Sequence, residues 1–547
     1  MCGYGIRHAQ LAHNVRGPKA GQPRAQVLYH FGRVDQLDRA MLRRLVRSIA
    51  RFLPPEEQVE LQQQLGMEWP FQYLGSLKLG GTWLLDGLWK RLGIAETLQR
   101  LLSQRHYQTP VERHLFAMVA NRALAPSSKL AIETWVGQQV YVDGLSQVDV
   151  HQLYRAMDFL LEAADAIQRE VYWRIANLFN LDVDVIFLDT TTAHFEIEEE
   201  DEDGLRRWGK SADDHSGHAQ VRMGFAVTRD GIPVRCWVWP GNTADRSVVQ
   251  EVKRDLNGWK LNRVLLVLDA GFNSAETRRI LQGAGDHYII GEKLRVGAQG
   301  VPAEALRRGG KYRKLPDGLE IKEVIVGGDS AARRRFVVVR NPEQAERDRQ
   351  TRESILAELR RRLEELPQLE GDAHTKAVCA LRAHEVFGRY LRQTRNGRLV
   401  IDQAKVRQEA HLDGKFLISS SDDFLPAEDL VAGYKQLWQV ERVHRDLKHV
   451  VDVRPMYHRL EDRIRAHVLL CWLALLLIRV AENETGKTWR QMKELLGPID
   501  VGCHATAHGE VWQVCPLTED QKALFRTLQV PLPPHYLKIQ VARRKDA

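Results

Sequence analysis

Hydrophobic residues follow a helical period in two regions of the chain. From about Asp86 to Asn180, apolar residues recur every three to four positions, which predicts a helical module over residues 54–180. The same spacing at Ala432 to Val450 and at Asp462 to Asn483 predicts two later helices.

Two short apolar, β-branched runs predict strands that are buried on both faces. They are Val183 to Leu188 and Val264 to Leu268, and each ends directly in an aspartate. Between them, Val221 to Thr228 and Ile232 to Pro240 flank a turn and predict an antiparallel pair. The predicted fold class is therefore α/β with a mixed sheet.

Residues 296–430 interrupt this region with a different pattern. Leu319 to Val326 and Arg333 to Arg340 predict a hairpin, and Pro342 to Leu366 predicts a long charged helix. Further strands are predicted within Arg389 to Ser420. The segment has the character of an insertion domain.

The first 53 residues predict a hairpin followed by a helix. The strands are Ala9 to Arg16 and Ala25 to Phe31, and Asp35 is the predicted N-cap of a helix that runs to about Leu53. At the other end of the chain, residues 486–547 form a C-terminal extension for which the pattern predicts little.

The formal net charge of +8 is concentrated in this N-terminal unit. Residues 1–53 contain ten Arg and Lys against two Asp, so the rest of the chain is formally neutral. Four arginines recur every four residues along the predicted helix, namely Arg39, Arg43, Arg47 and Arg51. Such a stripe is able to follow a phosphate backbone, and a solvated helix face is the alternative interpretation.

Composition places the chain among ordinary globular proteins, with 44% hydrophobic and 27% charged residues. The longest apolar run, Val468 to Ile478, is too short to cross a bilayer, and Arg479 follows it. No cleavable signal sequence is apparent at the N-terminus. We therefore expect a cytoplasmic protein without a membrane partner.

The two aspartates that follow the buried strands are candidates for a metal site. Asp189 and Asp269 lie side by side if their strands are neighbours, and their repulsion then has to be relieved by cations or by protonation. Ligands that are only carboxylates favour Mg²⁺, or Mn²⁺ in its place, over zinc. Two such ions about 4 Å apart support in-line phosphoryl substitution. The alternative is that both residues are helix caps or loop residues.

A late helix supplies a third carboxylate. Tyr434, Glu441 and Lys448 are spaced by seven residues, so they share one face if the helix is continuous. Tyr434 and Lys448 are both able to bind a phosphate. Read alone, the segment also fits an amphipathic helix with a polar side.

At this point the sequence resembles the insertion-sequence transposases that have an RNase H-like catalytic domain and a β-rich insertion domain. Phe187 to Thr192 and Val267 to Phe272 resemble the family's two aspartate segments, and Gly231 to Thr243, with Asp245 close behind, resembles the stretch between them. The family's signature helix carries Tyr, two residues, Arg, three residues, Glu, six residues and Lys. This chain has Tyr434, Leu437, Glu441 and Lys448 at those four places.

The resemblance implies a catalytic triad of Asp189, Asp269 and Glu441 that binds two Mg²⁺ ions. It also implies an RNase H-like domain formed by residues 181–295 and 431–485. Leu437 replaces the signature Arg, and a neighbour, Arg442 or Arg445, is expected to supply that phosphate contact. The implied activity is metal-dependent cleavage of element ends and their transfer into target DNA.

The resemblance further implies a homodimer on paired DNA ends, with the basic N-terminal unit recognising the terminal inverted repeats. Two other functions stay open from the residues. One is an RNase H-like nuclease without transposition, and the other is an inactive, transposase-derived DNA-binding protein.

Overall fold

The computed structural model describes residues 7–16, 23–54, 57, 71–105, 107, 109–179, 185–195, 199–209, 218–257, 265–283, 286–295, 301–327, 333–454, 456, 458–506 and 509–541. The chain divides into two compact units. The first contains Met1–Gly75, Cys503–Trp512 and Lys538–Ala547, and the second contains Ser76–Gly502 and Gln513–Leu537.

Strands and helices alternate along most of the chain. The strands are β1 (His8–Arg16), β2 (Pro23–Arg33), β3 (Phe71–Lys78), β4 (Val185–His194), β5 (Gln220–Val227), β6 (Pro233–Pro240), β7 (Leu265–Leu268), β8 (His287–Glu292), β9 (Arg313–Lys314), β10 (Glu320–Val326), β11 (Arg334–Arg340), β12 (Leu391–Gln393), β13 (Leu399–Ile401), β14 (Lys415–Ser420), β15 (Asp500–Thr506), β16 (Gly509–Val514) and β17 (Tyr536–Val541).

The helices are α1 (Arg39–Ala50), α2 (Gly80–Arg91), α3 (Ile94–Leu102), α4 (Val111–Leu124), α5 (Lys129–Gln138), α6 (Val150–Phe179), α7 (Asp245–Asn257), α8 (Ala275–Gln282), α9 (Val301–Arg307), α10 (Pro342–Glu365), α11 (Gly371–Ala383), α12 (Gln403–Ala410), α13 (Ala427–Lys435), α14 (Trp438–His449), α15 (Glu461–Thr485), α16 (Trp489–Leu496) and α17 (Glu519–Thr527). The predicted helical module contains α2 to α6.

A nine-stranded mixed sheet organises the larger unit, in the order β6-β5-β4-β7-β8-β14-β11-β10-β9. Strands β6, β5 and β4 are antiparallel neighbours, and β4, β7 and β8 run parallel. This five-stranded part, with β4 at its centre, has the RNase H-like arrangement, so the predicted α/β fold class is confirmed.

Four strands of residues 296–430, namely β9, β10, β11 and β14, continue the same sheet, whereas β12 and β13 form a separate pair. Strand β14 pairs antiparallel with β8 and also with β11, which is the second strand of the predicted hairpin. The long charged helix is present as α10. A second, smaller core lies beside it, where Leu359, Leu381 and Phe387 pack together.

The most apolar helix, α15, is the centre of the core. It packs against α4, α6 and β6, and residues Val468 to Ala481 are all buried. By length and hydropathy alone it qualifies as a membrane-spanning candidate among the described residues, but 94% of its apolar window is buried inside the protein. The helix predicted over Asp462 to Asn483 is confirmed.

In the N-terminal unit, β1 and β2 form the predicted antiparallel hairpin and α1 follows it. The N-cap of α1 is Asp38, which accepts a hydrogen bond from the Ala40 N–H at 2.8 Å. The prediction that Asp35 caps this helix is wrong, because the Asp35 carboxylate pairs instead with Arg33 at 2.7 Å. Arg43 and Arg51 are exposed, whereas the side chains of Arg39 and Arg47 lie outside the described part.

A separate four-stranded sheet has the order β17-β16-β15-β3. It includes strands of the C-terminal extension, for which the sequence pattern predicted little.

Candidate active site

The register of two parallel strands brings the first two carboxylates together. Strands β4 and β7 pair from Val185 and Leu265 to Leu188 and Leu268. Asp189 and Asp269 directly follow the last paired residues, Leu188 and Leu268, so they lie at the same edge of this parallel pair. The sequence-based prediction that both aspartates meet here agrees with the register.

One detail of that prediction is wrong, because Asp189 does not end its strand. Strand β4 runs on to His194 and stays paired with β5, with Asp189 opposite Phe225. Only the parallel partner stops, and Asp269 then leads into a short 3-10 helix, Ala270–Phe272. The Asp189 backbone is therefore fixed by β5, whereas Asp269 stands at the open end of β7.

Asp189 lies in an environment that disfavours its charge. Burial, together with the negative charges of Asp269 and Glu441, raises the pKa of its carboxyl from 3.8 to about 7. A hydrogen bond from its neighbour, the Thr190 N–H, at 2.7 Å opposes the rise. The influence of Glu441 shows that the third acid of the sequence prediction lies near Asp189.

Glu441 lies in the first turn of α14, and Tyr434 lies in the last turn of α13. The prediction of one continuous helix is wrong, because the chain makes a tight turn at Gln436 and Leu437. There the Leu437 N–H bonds to the Tyr434 carbonyl at 3.0 Å and the Val440 N–H to the Leu437 carbonyl at 3.0 Å, both over three residues.

The Tyr434 side chain nevertheless reaches the same site as Glu441. Burial raises the pKa of its hydroxyl, and the charge of Asp269, a hydrogen bond to it and the charge of Glu441 raise it further. The ring crosses the backbone at Gly291, where a Cβ would lie 2.1 Å from the Tyr434 hydroxyl oxygen. The absence of a side chain on Gly291 is thus what lets Tyr434 reach Asp269.

A buried ion-pair network fixes α14 against the core helix α15. The Arg479 guanidinium, only 2% exposed, pairs with Asp446 on α14 and with Glu482 at 2.6 Å on its own helix. Arg442 on α14 reaches the same Glu482 at 2.9 Å. The charges of two guanidinium groups and two carboxylates therefore neutralise one another at a largely buried position.

The network distinguishes the two arginines expected to replace the signature Arg. Arg442 forms an ion pair with Glu482, and the Arg442 side chain is 29% exposed. Arg445 is 66% exposed and lies 3.9 Å from its nearest carboxylate, Asp446. Lys448 is half-buried on the same helix.

Two side chains at the site were missed by the sequence analysis. His444 is buried, and its Nδ1 lies 3.6 Å from the Asp189 carboxylate. Burial and the charge of Lys448 lower its pKa to about 3, so the imidazole is neutral. Its position three residues after Glu441, on the same helix face, was the available signal.

The other is Arg222 on β5, which holds the strand that carries Asp189. Its guanidinium donates to the Thr190 hydroxyl at 2.8 Å and to the Thr243 carbonyl at 2.7 Å, and it pairs with Asp245. It also lies 5.9 Å from the Phe272 ring. The motif around Thr243 and Asp245 was recognised in the sequence, but the Arg that it binds was not.

The donor set fits a hard divalent cation. Asp189, Asp269 and Glu441 offer only oxygen ligands, and a bound cation would offset both the burial of the Asp189 charge and its repulsion by the other two acids. Within the described ranges, no three His, Cys, Asp or Glu side chains already stand close enough to enclose one ion. Asp269 and Glu441 are exposed, and Asp269 is hydrogen-bonded to Tyr434, whereas Asp189 is half-buried on its paired strand.

Comparisons with known proteins point to one family. A family model described as a transposase DDE domain matches residues 181–477, and one described as an IS1634 family transposase N-terminal domain matches residues 3–59. No curated protein sequence matches the chain.

Two solved structures show weak likeness to the chain. The piggyBac transposase synaptic complex with hairpin DNA is 9% identical with a TM-score of 0.33, and the match covers 76% of this chain and 79% of that one. The Mos1 transposase paired-end complex with left transposon end is 14% identical with a TM-score of 0.15, and the match covers 36% and 57%. At these scores neither structure bears on function.

Gly291→Ala should destabilise the protein by about 1–3 kcal/mol, because the new methyl group overlaps the Tyr434 hydroxyl. Adding Tyr434→Phe removes the closest overlapping atom, so the two changes should be non-additive in urea unfolding. Gly433→Ala is the matched control, since its Cβ would meet only the Ile289 side chain at 3.3 Å. Additive effects would contradict the proposed overlap.

Asp189→Asn should stabilise the metal-free protein above neutral pH. The folded-state pKa of about 7 exceeds the ordinary 3.8, so the folded state binds the extra proton and loses stability as pH rises between them. The decrease has an upper limit of about 4 kcal/mol. Thermal unfolding in EDTA should show the variant's advantage growing from pH 5 to pH 8. Parallel curves for the two proteins would refute this account.

Proposed function

We propose that this chain, which belongs to the transposase DDE-domain family, has its active site between β4, β7 and α14. As an insertion-sequence DDE transposase, it cuts DNA and transfers strands in a reaction that depends on a divalent metal. We assign Asp189, Asp269 and Glu441 as the catalytic triad. The observation that carries the assignment is the β4–β7 register, which places Asp189 and Asp269 side by side, with Glu441 close enough for its charge to act on Asp189.

The three carboxylates would hold two Mg²⁺ ions, with Mn²⁺ as a substitute. When bound, the ions activate the attacking oxygen and stabilise the leaving oxygen of the phosphodiester. Asp189 contributes a fixed ligand from the middle of a strand, and the two exposed acids adjust to it. Carboxylates that repel one another without metal favour cation binding, because the cation removes that repulsion.

The residues around the triad position it and bind phosphate. The Tyr434 hydroxyl orients Asp269. His444 packs beside Asp189 and is neutral, so it does not compete with the cation for the Asp189 carboxylate. We propose that Lys448 meets a DNA phosphate as a point charge. Of the two arginines expected near Leu437, we assign the phosphate contact to Arg445, because Arg442 is compensated by Glu482.

The reaction proceeds as two kinds of phosphoryl transfer. Water first displaces the 3′ oxygen of the phosphodiester at the element end, which leaves a 3′-hydroxyl and a 5′-phosphate. The 3′-hydroxyl then attacks a phosphodiester of target DNA, joins to its phosphorus and releases the target's own 3′ oxygen as a hydroxyl. Each step breaks one P–O bond and forms another at the same phosphorus, so no redox cofactor is needed.

We also propose that the N-terminal unit recognises the terminal inverted repeats and that the enzyme acts as a homodimer on paired ends. Residues 1–53 carry the chain's excess positive charge. Arg43 in α1 and Arg51 directly after it are exposed on this unit. Exposed guanidinium groups on a helix suit the DNA backbone.

Replacing the triad acids should abolish chemistry without abolishing binding. Asp189→Asn, Asp269→Asn and Glu441→Gln should each lower cleavage of a labelled element end in Mg²⁺ by at least about a thousandfold. Strand transfer from a pre-cut end should fall equally. Glu494→Gln, an exposed acid on α16, should retain activity. Normal cleavage by the Glu441 variant would remove it from the triad.

Replacing the four arginines of the predicted stripe, Arg39, Arg43, Arg47 and Arg51, by alanine should weaken binding to the inverted repeat. The slope of log affinity against log salt should become shallower by about 0.9 for each phosphate that the helix no longer neutralises. Binding is measured in EDTA by fluorescence anisotropy, so that cleavage plays no part. Affinity and slope equal to those of the wild type would exclude this helix from the DNA interface.

A further inference from the structure

A short hairpin within residues 296–430 carries a second concentration of arginines that the assignments above do not use. Its strands are β12 and β13, and its loop is Thr394–Arg398. We call this loop the arginine tip. Arg395 and Arg398 flank Asn396 and Gly397, and all four residues are exposed.

The arginine tip has a fixed backbone. The Thr394 N–H donates to the Arg398 carbonyl at 2.8 Å, and the Gly397 N–H donates to the Thr394 carbonyl at 3.0 Å. Gly397 has a φ of +79°, a left-handed conformation that closes short hairpin loops of this kind. The Thr394 hydroxyl and the Gln393 amide add further bonds, to the carbonyls of Arg398 and Gly397 at 3.1 Å each.

The base of the hairpin is anchored in a hydrophobic core. Leu391, Tyr390 and Phe387 belong to the cluster formed with α10 and α11. Lys405 donates to the Leu391 carbonyl at 2.7 Å. The tip therefore projects from a base that is packed and hydrogen-bonded.

The charges at the tip are uncompensated, unlike those of nearby arginines. Within the described part of the chain, neither the Arg395 nor the Arg398 guanidinium has an ion-pair or hydrogen-bond partner. On α10, by contrast, Arg361 pairs with Glu358 at 2.7 Å, and Arg349 pairs with Glu346 at 2.6 Å. Two guanidinium groups are thus held at the end of a rigid support with no acid to neutralise them.

We propose that the arginine tip binds the phosphate backbone of duplex DNA through Arg395 and Arg398. This inference rests on the proposed function for its partner, since a transposase handles both its own ends and a target duplex. Guanidinium groups bind phosphates with paired N–H donors, and a support that is already rigid loses little conformational entropy on binding. The DNA contacted is either the element end or the target, and both offer the same phosphates.

The test compares two double variants of the full-length protein with equal charge change. Arg395→Ala with Arg398→Ala removes the tip's charges, and Arg349→Ala with Arg361→Ala removes the same charge from compensated positions on α10. Binding is measured in EDTA at several salt concentrations, to a duplex with the inverted repeat and to an unrelated duplex of equal length. Thermal unfolding confirms that both variants fold.

The tip variant should bind about tenfold more weakly at low salt, and its log–log salt slope should be shallower by about 1.8. The control variant should keep the wild-type slope. Weakening confined to the inverted-repeat duplex assigns the tip to the element end, and equal weakening on both duplexes assigns it to a sequence-independent contact. A tip variant with the control's slope and affinity would overturn the proposal.

These outcomes are separable from a failure of the proposed function. Asp189→Asn should bind both duplexes normally and fail only in cleavage, so a wrong triad leaves the binding result intact. If the wild-type protein bound neither duplex, the assigned DNA partner itself would be wrong. If the wild-type protein binds DNA and the tip variant keeps the wild-type salt slope, the result counts against the arginine tip alone.

Discussion

The parallel pairing of β4 with β7 is the constraint on which the site depends. It sets Asp189 and Asp269 at the same level of neighbouring strands, where two carboxylates repel each other. A third acid arrives from α14, and burial, together with the charges of the other two acids, raises the pKa of Asp189 to about 7. The fold therefore keeps an unfavourable arrangement of charge, which a divalent cation converts into a favourable one.

Holding that arrangement requires rigid support from outside the sheet. The four-membered network of Arg479, Asp446, Glu482 and Arg442 holds the helix that carries Glu441 against the core helix α15. A buried ion pair adds little net stability over an apolar contact, but removing one partner leaves a charge stranded and costs about 3–5 kcal/mol. Its value here lies in geometry, since it fixes the direction of α14.

The segment inserted between the second and third acids is continuous with the catalytic sheet. Strand β14 pairs with β8, and the chain then enters α13 and α14. Tyr434, from α13, crosses β8 at Gly291 to reach Asp269. The insertion is thus a structural part of the site's frame, and it also presents the arginine tip on its own small core.

Much of this protein was determined by local sequence. The period of apolar residues predicted the central helix, the buried strands and the hairpins, because each of these elements is specified by its own side chains. Resemblance then identified Asp189, Asp269 and Glu441 as a set.

Tertiary structure alone decided that β4 continues past Asp189, because a second partner strand, β5, holds it there. It also decided that the helix breaks after Lys435, that Arg442 is neutralised by Glu482, and that His444 and Arg222 support the site. Each of these depends on a contact between residues distant in sequence, and no local pattern encodes such a contact.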